Sequence, residues 1–281
     1  MNSTLKTLLN VAGLIPQGAL SPLSGGDSAV TYRLSTDAGD VVVKRDDPAR
    51  LAGEADGLRA LASANSGLIV PTVLAQEGEW LVMEGLETVN SRHGCAESLG
   101  EGLRRLHGVT GEDHGWPHDN ACGRTPQPNA ALLDGRVFQR ERRLLPLIYV
   151  CSAKGLLDKA LRQRLETIAH GLESWLPDVP ASLVHGDLWS GNVLCTAHGA
   201  AVIDPAVYRH FPEVDLAMLT LFGSPGEAFF EAYWNGNAPD DWPRREALFQ
   251  LYPLLNHVLL FGGSYRAALE HAVIRLEAYQ A

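Results

Sequence analysis

The sequence predicts an α+β fold, in which an N-terminal antiparallel five-stranded sheet and a helix precede a larger, mostly helical part with a short β-hairpin. Three observations predict it. Strand-like apolar patterns dominate the first 86 residues, helically spaced leucines follow them, and two short apolar runs surround a turn at 196–199. The length of 281 residues exceeds the usual size of a single core. We therefore predict two domains, residues 1–86 and residues 87–281.

Composition narrows the class of partner. Apolar residues make up 46% of the chain and charged residues 20%, which is typical of an ordinary globular protein. The formal net charge of −10 argues against a nucleic-acid groove or an anionic membrane surface as partner. An anionic cofactor would therefore need local positive charge.

The four cysteines, Cys95, Cys122, Cys151 and Cys195, are widely spaced and form no CxxC pair. This spacing predicts neither a disulfide framework nor a zinc site, and it suits a reducing cytoplasm. The N-terminal run LLNVAGLIPQGAL is too short and too interrupted for a signal peptide or a membrane span, so we predict a first helix there.

Residues 19–45 predict a twisted antiparallel sheet that opens with a glycine turn. The turn contains Gly25, Gly26, Asp27 and Ser28. Its flexible backbone, rich in N–H groups, could lie over phosphates. The turn matches neither GxGxxG nor GxxxxGK[ST], and an ordinary hairpin turn is the alternative.

A lysine and a glutamate then form a candidate pair. Residues 48–63 show a helical apolar stripe, and Glu54 lies on that stripe. A carboxylate that faces inward is costly unless it is paired, and the nearest cation in the preceding strand is Lys44. We predict that Glu54 tethers Lys44 toward phosphate oxygens; the alternative is a glutamate at the edge of the stripe that reaches water.

Strands at 68–73 and 80–83 complete the predicted sheet, and the chain then leaves it through a hinge. The hinge residues Met83, Glu84, Gly85 and Leu86 could present their backbone to an adenine edge. Helices follow, with no further strand signal before residue 193. The long segment 111–130 predicts an ordered loop that packs the two domains together or faces substrate, with structural packing as an equal alternative. Beyond residue 204 we predict a helix starting near Pro212, with Asp215 in its first turn, and three helices around 228–234, 244–261 and 265–279.

The functional prediction depends mainly on the stretch at 183–204, LVHGDLWSGNVLCTAHGAAVID. Its apolar runs 193–195 and 201–203 predict a hairpin with a four- or five-residue turn. If Val193 pairs with Ile203, Asn192 faces Asp204, with α-carbons roughly 5 Å apart. An amide oxygen and a carboxylate so placed would suit Mg²⁺.

Asp187 lies five residues before Asn192 on a tight loop and can point at the same space. One carboxylate that accepts the proton of an attacking hydroxyl, with an amide and a second carboxylate that hold metal, is the arrangement phosphoryl transfer requires. A surface turn explains any one of these residues, but it does not require the ordered set.

The sequence resembles the fructosamine kinase (ketosamine 3-kinase) family over its whole length. That family has the protein-kinase-like fold and is related to aminoglycoside and choline phosphotransferases. The resemblance is carried by HGDLWSGN at 185–192, IDPAVY at 203–208, EVDLAM at 213–218, GRTPQPN at 123–129 and LLNHVLLFGGSY at 254–265.

The resemblance implies ATP and Mg²⁺ as cofactors and transfer of the γ-phosphate to the 3-hydroxyl of a ketosamine, a deglycation step that frees the amine. On matching positions it implies Asp187 as the catalytic base, Asn192 and Asp204 as metal ligands, and Lys44 with Glu54 at the phosphates. Trp189 is then a candidate stacking wall for the sugar. His185 and Asp215 are further candidates on the substrate side, where Asp215 could also cap its helix or brace the His185 loop.

Two other functions stay open: an aminoglycoside- or choline-type phosphotransferase, and a non-catalytic nucleotide-binding protein. Some members of the family carry a cysteine in the glycine turn that permits redox-controlled dimers. Here the turn reads LSGGDSAV, so we expect no such dimer, and a cytoplasmic monomer is the default expectation, with a dimer as the alternative.

Overall fold

Five strands and two helices form the N-terminal part of this computed structural model, which describes residues 2–23, 29–89 and 94–279. In chain order these elements are α1 (Ser3–Val11), β1 (Ser21–Pro22), β2 (Val30–Thr36), β3 (Gly39–Arg45), α2 (Pro48–Ser63), β4 (Val73–Glu77) and β5 (Trp80–Glu84). The strands form one antiparallel sheet in the order β1-β2-β3-β5-β4. The glycine turn with Gly25, Gly26, Asp27 and Ser28 lies outside the described residues.

The five-stranded sheet is confirmed, but the predicted strand at 68–73 is wrong, because the fourth strand is β4. Ile69 instead pairs with the later hairpin: its N–H donates to Ala200 O (3.0 Å), and its carbonyl accepts from Val202 N (2.9 Å). Pro71 has no N–H to contribute to a ladder. The apolar run thus joins the sheet to the rest of the molecule.

Each face of the sheet is covered by one helix. Alternation along β3 sends Val41 and Val43 toward α1, where they are buried with Leu5 and Leu9. The opposite face packs against α2 through a second apolar cluster. Lys44 follows Val43, so it projects on the α2 face, and the helix predicted at 48–63 is confirmed there, with Asp47 as its N-cap.

The remaining chain is mainly helical. Its elements are α3 (Cys95–His107), β6 (Thr110–Gly111), β7 (Asn120–Cys122), β8 (Thr125–Gln127), α4 (Gly135–Phe138), a π-helical segment (Gln139–Leu144), α5 (Leu145–Ala153), α6 (Lys159–His170), β9 (Ala181–Val184), β10 (Val193–Thr196), β11 (Gly199–Val202), β12 (Tyr208–His210), α7 (Glu213–Leu221), α8 (Glu227–Trp234), α9 (Trp242–Phe261) and α10 (Arg266–Glu277). The three predicted C-terminal helices correspond to α8, α9 and α10. The largest hydrophobic core lies among α5, α6, α9 and α10, and α7 packs on α9. No helix within the described ranges is both long enough and apolar enough to cross a bilayer.

The expectation of no strand between the first sheet and residue 193 is wrong. β12, β9 and β6 form a three-stranded sheet, and β7 pairs with β8 inside the segment that was predicted to be a loop. These strands are only two to four residues long. Such short strands carry too few residues to show a period of two.

The fold also corrects the expectation that the cysteines form no disulfide framework. Cys95, at the start of α3, is disulfide-bonded to Cys195 of β10, with α-carbons 5.7 Å apart and 100 residues between them in sequence. Cys122 and Cys151 are buried free thiols. Spacing along the chain could not reveal the pair, because only the docking of α3 beside the hairpin brings the two residues together.

Reduction of the Cys95–Cys195 disulfide is expected to lower the free energy of unfolding by several kcal/mol, since closing a loop of about 100 residues has a chain-entropy value of ~4.7 kcal/mol. Thermal unfolding with and without dithiothreitol measures this. The Cys95→Ser variant should have the same Tm with and without dithiothreitol, close to that of the reduced wild type. Alkylation of all four cysteines in the unreduced native chain, or a wild-type Tm that ignores the reductant, would contradict the prediction.

Candidate active site

The candidate active site begins where β9 ends and the chain turns sharply at Gly186. That residue has φ +83°, and a Cβ there would lie 2.1 Å from Ala206 O, so only glycine fits. The backbone then passes Asp187 and a short 3₁₀ turn, Ser190–Asn192, before entering β10. The tight loop predicted from His185, Gly186 and Gly191 is therefore present.

A buried carboxylate braces this loop from behind. Asp215, in the first turn of α7, accepts hydrogen bonds from His185 N (2.7 Å) and Gly186 N (2.8 Å). His107 Nε2 lies 3.1 Å from the same carboxylate. The bracing role suggested for Asp215 thus agrees with its contacts.

His185 is also part of the support. It is fully buried, its Nε2 lies 3.0 Å from Ile203 O, and its Nδ1 accepts from Asp187 N (3.3 Å), so the Nε2–H tautomer satisfies both contacts. Burial lowers the pKa of His185. A substrate-side position for His185 and Asp215 does not fit this placement, because neither side chain reaches the surface.

The hairpin that carries the candidate metal ligands has a different register from the one predicted. Val193 pairs with Val202, not with Ile203, and the strands turn through two residues, 197 and 198. Asn192 O accepts from Ile203 N (3.1 Å), and Asp204 lies one residue further along. The prediction was wrong by one residue because the apolar run gives no sign of where pairing ends.

The two candidate ligands lie at the same end of the hairpin. Asn192 is nearly buried and donates from Nδ2 to Asp187 O (2.8 Å), which leaves Oδ1 for a cation. Asp204 has φ +57°, an uncommon backbone for a residue other than glycine, and its carboxylate reaches Lys44. An amide oxygen and a carboxylate are hard ligands of the kind Mg²⁺ takes.

Lys44 lies between two carboxylates, Glu54 and Asp204. Its Nζ donates to Glu54 Oε1 (2.6 Å) and to the Asp204 carboxylate. The Lys44 side chain is 7% exposed, that of Glu54 15% and that of Asp204 36%. Burial by itself would lower the pKa of Lys44, but the two carboxylates raise it. The predicted pairing of Glu54 with Lys44 is therefore present, and the ammonium is charged.

Asp187 is partly buried. Burial raises its pKa to about 7, although a hydrogen bond with the Cys122 thiol acts in the opposite direction. Asn256 Nδ2 in turn contacts Cys122 Sγ at 3.5 Å. A carboxyl that titrates near neutrality suits a general base.

The hinge residues differ among themselves. Met83 is buried in the sheet core, and Gly85 N already donates to Asp40 O (2.9 Å). The Met83 side chain and the Gly85 N–H are therefore not available to a ligand. Glu84 accepts from Thr72 N and Oγ1 through its side chain. Leu86 N donates to no other residue within the described part of the chain. Of the four candidates, Leu86 is the one with a backbone N–H left for an adenine ring.

Two features near Asp187 were not predicted as site residues. Cys122 comes from β7, within the predicted loop, and its contact with Asp187 spans 65 residues of chain, so no local pattern signals it. The second is an aromatic cluster beside Trp189. Trp189 is 38% exposed and contacts Phe222 edge-on, with ring centroids 6.4 Å apart.

Phe222 extends the cluster by contacting His257 and Tyr265, at centroid distances of 5.2 and 6.4 Å. His257 also contacts Phe261, at 5.6 Å. Residues 257, 261 and 265 are spaced by four within the LLNHVLLFGGSY run. That helical spacing was a signal that could have identified this aromatic surface.

Comparison with known proteins gives consistent matches. A family model described as fructosamine kinase matches residues 9–278. The probable ketoamine kinase YniA of Escherichia coli (strain K12) is 33% identical over 265 residues, covering 91% of this chain and 92% of that protein. The chloroplastic protein-ribulosamine 3-kinase of Arabidopsis thaliana is 33% identical over 264 residues, covering 89% of this chain and 79% of that protein.

Solved structures agree. A protein of Thermobifida fusca assigned as a fructosamine-3-kinase superposes with a TM-score of 0.90 at 31% identity, covering 99% of both chains. A gentamicin complex of the aminoglycoside phosphotransferase APH(2")-IIa matches with a TM-score of 0.64 at 17% identity, over 98% of this chain and 96% of that one, which shows a shared fold alone. The predicted protein-kinase-like fold is confirmed.

Proposed function

The chain belongs to the fructosamine kinase family, and on that premise we propose that it transfers the γ-phosphate of ATP to the 3-hydroxyl of a ketosamine. It is a phosphotransferase with an alcohol acceptor, like the kinases named among its relatives. The 3-phosphate then makes the adduct labile and releases the amine. The reaction is thus a deglycation step on a sugar-modified amine.

One observation carries the proposal: the residues that phosphoryl transfer needs form two sets of contacts, which the end of the β10–β11 hairpin joins because Ile203 N, next to Asp204, donates to Asn192 O. Asn192 binds the backbone of Asp187, Asp204 binds Lys44, and Lys44 binds Glu54. These residues come from the sheet, helix α2, the loop after β9 and the end of the β10–β11 hairpin. A surface turn rich in polar residues would not bring a buried lysine to the same place.

The roles follow from the chemistry of each group. Asp187 accepts the proton of the attacking hydroxyl, and Lys44, oriented by Glu54, binds phosphate oxygens of ATP. Asn192 and Asp204 would hold Mg²⁺, which when bound neutralises phosphate charge. Leu86 N–H meets the adenine edge. In this assignment residues 1–86 bind nucleotide, and residues 87–281 carry the base and the acceptor site.

The aromatic cluster at Trp189 and Phe222 supports an acceptor that combines a sugar with an amine. The exposed face of Trp189 can stack on a sugar ring, and aromatic rings also attract cationic amines. The net charge of −10 favours a cationic acceptor as well, although it does not separate ketosamines from aminoglycosides or choline.

ATP consumption with fructosyl-, ribulosyl- and erythrulosyl-amines, measured beside kanamycin and choline, tests the proposal through kcat/KM. We expect the highest kcat/KM with a ketosamine. Turnover of kanamycin or choline without turnover of any ketosamine would reject the proposed acceptor, whereas MgATP binding without turnover of any alcohol would indicate a non-catalytic protein.

We place the reaction in the cytoplasm, where ATP is available, and propose a monomer as the working unit. In a reducing compartment the Cys95–Cys195 disulfide would be transient or redox-responsive, since such compartments keep thiols reduced. Thiol alkylation of the protein in intact cells, followed by mass measurement, reports which form is present.

The pH dependence of the reaction should reflect Asp187. Its pKa is raised to about 7, so the carboxyl gains a proton as the pH falls through that value, and kcat/KM should decrease there. The Cys122→Ala variant loses the hydrogen bond that lowers this pKa, so its acid limb should move to higher pH. Cys122→Ser, which keeps a donor, should move less. The titration of ATP itself is the same for every variant, so any difference between the pH profiles of kcat/KM comes from the protein. Equal profiles for wild type and Cys122→Ala would contradict the assignment of the acid limb to Asp187.

A further inference from the structure

The segment 111–130 reaches from the helical part of the molecule to helix α2. Trp116 Nε1 donates a hydrogen bond of 2.7 Å to Asp56 Oδ2 on that helix. Two further contacts hold Trp116 in place. Its backbone N–H donates to Asn129 O (2.9 Å), and the Arg209 guanidinium lies 5.3 Å from the centroid of its ring. A rigid donor therefore binds the helix two residues after Glu54.

The face of α2 that meets this segment is made of small residues. A Cβ on Gly53 would lie 3.2 Å from Asn120 Cβ, and a Cβ on Gly57 would lie 3.1 Å from both Pro205 and Val207. Gly53, Asp56 and Gly57 share one helical face by their spacing. The helix thus makes close backbone contact with β7 and with the residues that follow Asp204.

The same short strand reaches the base. In β7, Asn120 packs against Gly53 and donates from Nδ2 to Val207 O (2.8 Å), while Cys122, two residues on, lines the same small cavity as Asp187. Strand β7 therefore contacts both the helix that carries Glu54 and the carboxylate proposed to activate the acceptor.

Helix α2 needs such a contact. Its contact with the sheet is made by apolar side chains such as Leu51 and Leu58, and Leu61 packs in the apolar core around α3; apolar packing has no direction of its own. A slide or a rotation of α2 would keep much of that packing and would still separate Glu54 from Lys44.

We propose that the segment 111–130 holds α2 in the position where Glu54 orients Lys44, so that Trp116 and Asp56 are positioning residues for ATP. The inference rests on the proposed function for the identity of the nucleotide, but not for the acceptor. In this proposal the segment 111–130 connects helix α2, which carries Glu54, to the loop that carries Asp187.

Three variants test it. Trp116→Phe keeps the ring and removes the donor, Asp56→Ala removes the acceptor, and Asp56→Asn keeps an acceptor oxygen. Calorimetric titration with MgATP alone gives Kd, and steady-state kinetics gives KM for ATP and KM for the ketosamine separately. We expect Trp116→Phe and Asp56→Ala to raise the Kd and KM for ATP roughly fivefold or more, since hydrogen bonds to charged groups are strong. The KM for ketosamine should stay unchanged, and Asp56→Asn should bind ATP within about twofold of wild type.

The double variant Trp116→Phe, Asp56→Ala should lose no more affinity than either single variant, because both changes break one contact. Gly53→Ala provides a variant that does not weaken the helix, since alanine is a better helix former than glycine. Its Cβ would push against Asn120, so it should also weaken ATP binding. Ala52→Ser, on the exposed side of α2, is the matched control and should bind as wild type does.

Several results would overturn the inference. Unchanged ATP affinity in both Trp116→Phe and Asp56→Ala, a lower Tm without a change in Kd, or additive losses in the double variant would each reduce Trp116 to a packing residue. If no ketosamine is phosphorylated while the affinity pattern holds, the proposed acceptor fails and the positioning role stands. No MgATP binding by the wild-type protein would reject both.

Discussion

Asp187→Asn is expected to lower kcat by roughly 10²- to 10⁴-fold, the range associated with loss of a general base. The affinity for MgATP should change little, because the side chain proposed to take the proton is distinct from Asn192 and Asp204, the proposed metal ligands. Measurement of kcat alongside calorimetric titration with MgATP separates the two effects. Retention of more than about a tenth of kcat, a loss below roughly 1.4 kcal/mol, would contradict the assignment.

The expected fall in kcat of Asp187→Asn should not come from a loss of stability. Burial raises the pKa of Asp187 to about 7, which means that the folded protein disfavours its charge above that pH. The neutral amide relieves this cost, so Asp187→Asn should have a Tm at pH 8 at least as high as wild type. Asp240→Asn, on the exposed surface, is the matched control and should change neither activity nor Tm.

Lys44→Met should have the second large effect, a fall of about 100-fold or more in kcat/KM for ATP, because the variant removes the cation proposed to bind phosphate oxygens. The KM for ketosamine should be unaffected. The variant should also lose stability, by roughly 3–5 kcal/mol for a broken buried pair, toward the lower end because water can reach the Asp204 carboxylate.

A double variant separates activity from stability. Lys44→Met combined with Glu54→Gln removes the carboxylate that would otherwise be left unpaired, so it should recover part of the lost Tm and none of the lost activity. Lys159→Met, on the exposed side of α6, is the control for loss of a positive charge. Activity that returned together with stability would show that Lys44 acts through folding and not at the nucleotide.

The residues proposed for phosphoryl transfer could be predicted from the sequence for two reasons. Some of them are close together in the chain, and another is a charged side chain at a position where the pattern predicts an apolar one. Asp187, Asn192 and Asp204 lie within one loop and hairpin, so their order nearly determines their proximity. Glu54 lies on an apolar stripe, and a carboxylate there needs a partner; the structure supplies Lys44. The helix at 48–63 and the three C-terminal helices were predicted from patterns of five or more residues, and the five-stranded sheet was predicted although its fourth strand was misplaced.

Contacts between distant residues were not predictable in this way. Cys95 meets Cys195 across 100 residues, Cys122 meets Asp187, and Trp116 meets Asp56, each through the docking of elements whose own patterns say nothing about their neighbours. The hinge shows the same effect on a smaller scale, since the contact of Gly85 with Asp40 decides which N–H is left for a ligand.

The sequence by itself determined the family, the fold class and the groups that carry the chemistry, because local periodicity and residue type are written along the chain. The tertiary structure alone decided the one-residue register of the hairpin, the disulfide, the burial of His185 and Asp215, and the contact of Trp116 with Asp56 on α2. These depend on how separate elements pack, and packing is set by the shapes and distances of side chains that are far apart in sequence.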